Sequence, residues 1–153
     1  MKKLTPFIFS CLLVLGAAAC ADTAKTTQSA PENPTEAVQA PSPKTTEAAQ
    51  EDAESELRRR QLNQDIRARE QRNNVTGGDA DRAVGDLASE VRSKLEANIP
   101  DGQLTVNAED NGTVTVGGTV NNQQQLAKIE PLAKEIKGVK NVVVTARVAP
   151  PQS

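Results

Sequence analysis

The stretch Leu104 to Val120, LTVNAEDNGTVTVGGTV, constrains this 153-residue chain more tightly than any other. Leu104, Val106 and Ala108 alternate with polar residues, as do Val114 and Val116, and a period of two is that of strands with one buried face. Asp110-Asn111-Gly112 between them is a turn signal. A two-residue Asn-Gly turn would put the apolar sets of the two strands on opposite faces. A three-residue loop repairs this: Ala108 then faces Val114, Val106 faces Val116 and Leu104 faces Gly118, with Gly112 as the left-handed residue of a bulged turn. Thr105, Asn107 and Glu109 fall beside Thr113, Thr115 and Gly117 on the other face, which reads as wet.

What covers the buried face must come from the flanks. Val84, Leu87, Ala88, Val91 and Leu95 recur at helical spacing after Asp79 or Asp81, either of which can cap a helix reaching about Asn98. Pro100 and Gly102 stop it. After the hairpin, Asn121 or Asn122 can cap a second helix with Leu126, Ile129, Ala133 and Ile136 on one stripe and Leu132 beside it. Pro131 within it cannot donate to the carbonyl of Ala127 and predicts a kink or a split; Gly138 is placed to end it. A last strand, Val139 to Val148, alternates Val142, Val144, Ala146 and Val148 with more polar positions. The fold class is therefore α+β: a small α-β-β-α-β domain over residues 79–149, two helices on one face of a three-stranded sheet, with a loose tail at 150–153.

The preceding half has a different character. Lys2 and Lys3, the apolar run Phe7 to Leu15 and the small residues Gly16 to Ala19 make residues 1–19 an export signal peptide, too short in its apolar part to span a bilayer. Its end resembles the lipobox of bacterial lipoproteins, with Ala17 where Leu is favoured, and that resemblance makes Cys20 the lipidated first residue of the mature chain. The alternative is ordinary signal-peptidase cleavage and a secreted periplasmic protein. Residues 20–46, rich in Thr, Ala, Gln and Pro, read as a disordered tether holding the next element about 25–30 Å from the membrane. Residues 47–74 lack Pro and Gly and read as a charged helix, acids first and arginines last, with favourable pairs at Glu54–Arg58, Glu56–Arg60 and Asp65–Arg69. Its apolar stripe, Ala53, Leu57, Leu62 and Ile66, is thin, so it reads as solvated or partner-dependent. Gly77-Gly78 marks the boundary.

Composition excludes several chemistries. The chain has no His, Trp or Tyr, and its two cysteines, Cys11 and Cys20, both lie near the start. Imidazole-based metal sites or catalysis and aromatic stacking of bases have no residues to use, so no cofactor, no metal and no nucleic-acid partner are expected. A hydrolase using paired carboxylates has no evident apolar pocket to raise a pKa. Glu109 to Gly112 lacks the ligand spacing of a calcium loop. With the leader removed, 16 basic residues face 20 acids, a formal charge of about −4.

The run Asn111-Gly112-Thr113-Val114-Thr115-Val116-Gly117-Gly118-Thr119-Val120, followed by a helix and Gly138-Val139-Lys140-Asn141-Val142, resembles the BON domain, named after bacterial osmotically inducible and nodulation proteins. The resemblance covers roughly Asp81 to Val148. Many members carry two such domains; one is found here. It implies no catalytic residues, export to the periplasm or outer membrane, association with phospholipid, and a role in envelope integrity or osmotic stress. Gly112, Gly118, Gly138 and Val139 are its motif residues, read as turn, close approach under a helix, and helix stop. The candidate contacts to anionic headgroups are Arg58, Arg59 and Arg60 on the charged helix and Lys128, Lys134, Lys137 and Lys140 on or after the second helix of the domain, where Glu130 and Glu135 interrupt them. Solvated, self-paired faces are the competing reading of both groups. The partner is then membrane phospholipid, or an envelope protein if the domain is a scaffolding or protein-interaction module; the sequence does not specify an oligomeric state.

Overall fold

The computed structural model describes residues 23–76 and 83–152. The export signal, Cys20, the Gly77-Gly78 break and the Asp79 or Asp81 cap lie outside the described residues.

The hairpin forms in the expected register. Strands β2 (Gln103–Ala108) and β3 (Thr113–Val120) pair antiparallel with Ala108 opposite Val114, Val106 opposite Val116 and Leu104 opposite Gly118. Gly112 has φ +81°. The Asn111 side-chain oxygen accepts from the Thr113 amide at 2.7 Å, and the Gly112 amide donates to Glu109 at 2.9 Å, closing the turn. Helix α3 (Val84–Asn98) precedes the hairpin and α4 (Gln123–Lys134) follows it. Asn122 is the cap, accepting from the Gln125 amide at 2.9 Å. The helix runs unsplit through Pro131 to Lys134. Beyond it the Gly138 turn, φ +92°, redirects the chain into β4 (Asn141–Val144). β4 runs parallel to β3 with Val142 beside Val114 and Val144 beside Val116. The expected single last strand is two pieces: after Thr145 and Ala146, whose amides share the Val116 carbonyl, β5 (Arg147–Val148) pairs with Thr119–Val120.

The core is built on the predicted stripes, with Ile99 and Val120 added, while Val148, expected on the buried face, is exposed. Leu87, Ala88, Val91, Leu95 and Ile99, then Leu104, Val106 and Ala108, then Val114, Val116 and Val120, then Ile129, Ala133 and Ile136 form one buried cluster, flanked by the half-buried Leu126, Leu132, Val139 and Val142. Each large side chain sealed from water contributes roughly 1.5–3 kcal/mol, so these positions dominate the domain's stability.

The N-terminal half departs from expectation. The stretch read as a disordered tether adds an edge strand, β1 (Thr23–Lys25), antiparallel to β2 with Thr23 opposite Asn107 and Lys25 opposite Thr105. Thr26 then locks it: its amide donates to Leu104 at 2.9 Å, and its hydroxyl accepts from the Leu104 amide at 2.9 Å and donates to the Gly102 carbonyl at 3.0 Å. Residues 31–34 cross the sheet face that read as wet. The Thr105 hydroxyl donates to the Pro31 carbonyl, and the Thr145 hydroxyl donates to the Pro34 carbonyl at 2.6 Å. Thr105 is fully buried in consequence. Composition misses this docking because it runs through backbone carbonyls and threonine hydroxyls rather than apolar side chains.

The charged helix is also two helices. Ser42 caps α1 (Pro43–Glu54), whose first residue is a proline, as helix N-termini favour. Ser55 leaves the helical conformation, and its hydroxyl accepts from the Arg58 amide at 3.2 Å to start α2 (Glu56–Thr76). The helices are not simply solvated, since Ala53 and Leu62 are buried and α2 packs on α3. The tail is held at two points, Ala149 donating to Val120 at 2.9 Å and Gln152 to Pro41 at 3.3 Å.

Candidate functional site

The seven candidate cationic contacts separate into two groups at different places. Arg58 points inward, its guanidinium gripping Glu96 at 2.6 and 3.1 Å. That hydrogen bond raises the Arg58 pKa against the opposing effect of burial. Glu96 also accepts from Arg92 at 3.0 Å, and Arg92 reaches Asp65 at 3.4 Å. Asp65 binds Arg69 at 2.9 Å; Arg69 binds Asp86 at 2.5 Å, and Arg72 joins Asp86 at 3.2 Å. Burial pulls the Arg69 pKa down, but Asp65 and Asp86 together outweigh it and raise it. The result is a ladder of alternating charge between α2 and α3. It withdraws Arg58 from the surface set. The expected Glu54–Arg58 pair does not form because Ser55 breaks the helix between them, whereas Arg60–Glu56 does at 3.3 Å, with both side chains mostly in water.

The lysine group stays outside. Lys134 pairs with Glu130 at 2.6 Å, and Lys94 of α3 takes Glu135 at 2.5 Å. Lys128 and Lys140 are exposed and have no ion-pair partner among the described residues. Lys137 is exposed in the turn before Gly138. The Lys140 amide donates to the Gly112 carbonyl at 2.8 Å, which sets the α4–β4 turn against the tip of the β2–β3 hairpin. Gly112 and Gly138 meet there: a β-carbon on Gly112 would stand 2.6 Å from the Gly138 carbonyl oxygen. Gly118, φ +110°, also marks a close approach, but to the neighbouring strand rather than to a helix, with the Gln103 carbonyl 2.0 Å from its would-be β-carbon. The two motif glycines are thus one structural device, the joint between two turns.

Residues 83–150 match the family model of the BON domain. This segment is a BON domain. No curated protein and no solved structure matches the chain. BON domains are associated with envelope and osmotic-stress proteins and are generally non-catalytic. The motif glycines have physical reasons to be glycine: Gly112, Gly118 and Gly138 all have positive φ, and at Gly112 and Gly118 a β-carbon would also meet another backbone. Among the described residues no group of His, Cys, Asp and Glu is set to hold a metal ion, and no helix is long and apolar enough to cross a membrane.

Sequence reasoning missed the strap formed by residues 26–36. One signal was available. Gly117 lies in a strand interior, where glycine often marks the approach of another backbone, and here that backbone is Pro34.

Proposed function

We propose that this chain is a non-catalytic envelope lipoprotein, anchored through Cys20, whose BON domain works by lying against a phospholipid surface in the periplasm, on the outer membrane, in support of envelope integrity under osmotic stress. The observation that carries the reading is the BON match over residues 83–150. Exposed Lys128 and Lys140, without acidic partners among the described residues, supply cationic groups for anionic headgroups. Arg58 is left out of this set because Glu96 holds it.

Intact-mass analysis of the native protein reads the anchor directly; an unmodified Cys20 ends that part of the proposal. Co-sedimentation of the soluble chain with anionic and zwitterionic vesicles reads the surface. Binding to anionic vesicles that weakens with salt and with Lys128→Gln plus Lys140→Gln is the expected result. Equal behaviour toward both vesicles would instead make the domain a protein-interaction module.

A further inference from the structure

The docking of β1 changes where the domain can sit. Thr23 is three residues beyond Cys20, and three extended residues reach at most about 11 Å. Thr23 is also paired in the sheet opposite Asn107, so the slack a free tether would provide is absent. This argument rests on the proposal that Cys20 is the anchor. Granted that, we infer that the domain lies against the bilayer with one particular end, the end of the sheet at which β1 begins.

The topology says what that end carries. Asn107 leads within two residues into the β2–β3 turn, whose Glu109 and Asp110 are exposed. Lys140 and the Gly138 turn are joined to it through the Gly112 carbonyl. The first turn of α3 is there, with Ala83, Val84 and Asp86 beside Thr23 and Ala24. The last turns of α2 arrive at the same end, since Arg69 and Arg72 bind Asp86, and they present Val75, 86% exposed. The charges at this end are mixed: Lys137, Lys140 and Arg72 stand against Glu109, Asp110 and Asp86. The orientation is therefore set by the short link and does not require anionic lipid.

The other end carries the remainder. Gln103 pairs with Thr119 there, and Asn121 and Gln125 both donate to Asp101, at 2.6 and 2.7 Å, fixing the start of α4. Arg58 sits there too, beside Thr26 and Gln28. From Asn107 to Gln103 the strand alone covers about 13 Å. Arg58 to Arg60 consequently belong to the end that faces away from the membrane holding Cys20, and Lys137 and Lys140 to the end that faces it.

The chain has no tryptophan, so one introduced residue reports alone. The chain from Cys20 onward keeps every described residue and a single thiol, which can be coupled to vesicles through a maleimide-headgroup lipid. That makes the anchor by chemistry, so the result does not depend on whether cells acylate Cys20. Tryptophan is placed at Asp110→Trp or Val75→Trp on the near end and at Gln124→Trp on the far end, all exposed positions. With headgroup spin-labelled lipids, near-end emission should be lost and far-end emission retained, on zwitterionic and anionic vesicles alike. A long Gly-Ser insertion between Asp22 and Thr23 should erase the difference. Equal quenching at both ends, stronger quenching at Gln124→Trp, or a difference that survives the insertion each overturns the inference.

Discussion

The carbonyl oxygen of Pro34 lies 1.7 Å from the point a β-carbon on Gly117 would occupy. Strap and sheet meet there backbone to backbone, and no side chain can be interposed without parting them. Gly117→Ala should lift residues 31–36 off the sheet at a cost of about 1–3 kcal/mol, the usual range for overpacking. Limited proteolysis should find the strap newly cleavable while the BON core stays resistant.

Gly118→Ala tests a different contact one residue along. Its φ of +110° and the Gln103 carbonyl 2.0 Å away involve the partner strand, which cannot detach as the strap can. Left-handed strain and overpacking together predict a loss of roughly 3–5 kcal/mol. Urea unfolding should show the larger loss here and the smaller at Gly117.

The α2–α3 ladder makes an asymmetric prediction about charge. Glu96→Ala leaves Arg58 and Arg92 facing each other across a buried position, and should cost about 3 kcal/mol, the low end for a broken buried pair because Arg58 is partly exposed. Arg60→Ala removes a pair lying in water and should cost no more than about 0.5 kcal/mol. The Arg58 pKa is raised in the folded state, so its contribution is complete below the ordinary arginine range and falls only as pH climbs through the raised value. Thermal melts of Arg58→Ala and the parent chain should differ by the same amount throughout the neutral range.

A gain is expected at Gln103. Its side-chain nitrogen is buried without a hydrogen-bond partner among the described residues. Gln103→Met keeps the shape and removes the unsatisfied donor, which should stabilise the fold by about 1 kcal/mol in chemical denaturation.

The hairpin register and the two helix stripes were legible because each is a local periodicity ending in a core. Leu104 opposite Gly118 and the burial of Ile129 and Ala133 follow from spacing alone. The strap was not legible, since Pro31 and Pro34 contribute carbonyl oxygens, which every residue carries. Arg58 shows the same limit for charge. Local spacing offered it Glu54, and the fold gave it Glu96, 38 residues away. Asp65–Arg69, a true helical neighbour, formed as its spacing suggests.

The Thr145–Pro34 hydrogen bond joins residues 111 positions apart, and the Thr105–Pro31 bond residues 74 apart. The strap is made before either of the groups that hold it. Closing so long a loop has an entropic cost that only a finished sheet can offset. The expected order of assembly is therefore that the hairpin and its helices come together first, and the leading segment is fastened over them last. Refolding should show that sequence as protection of the Thr105 amide, which faces β3, before protection of the Thr26 amide, which donates to Leu104.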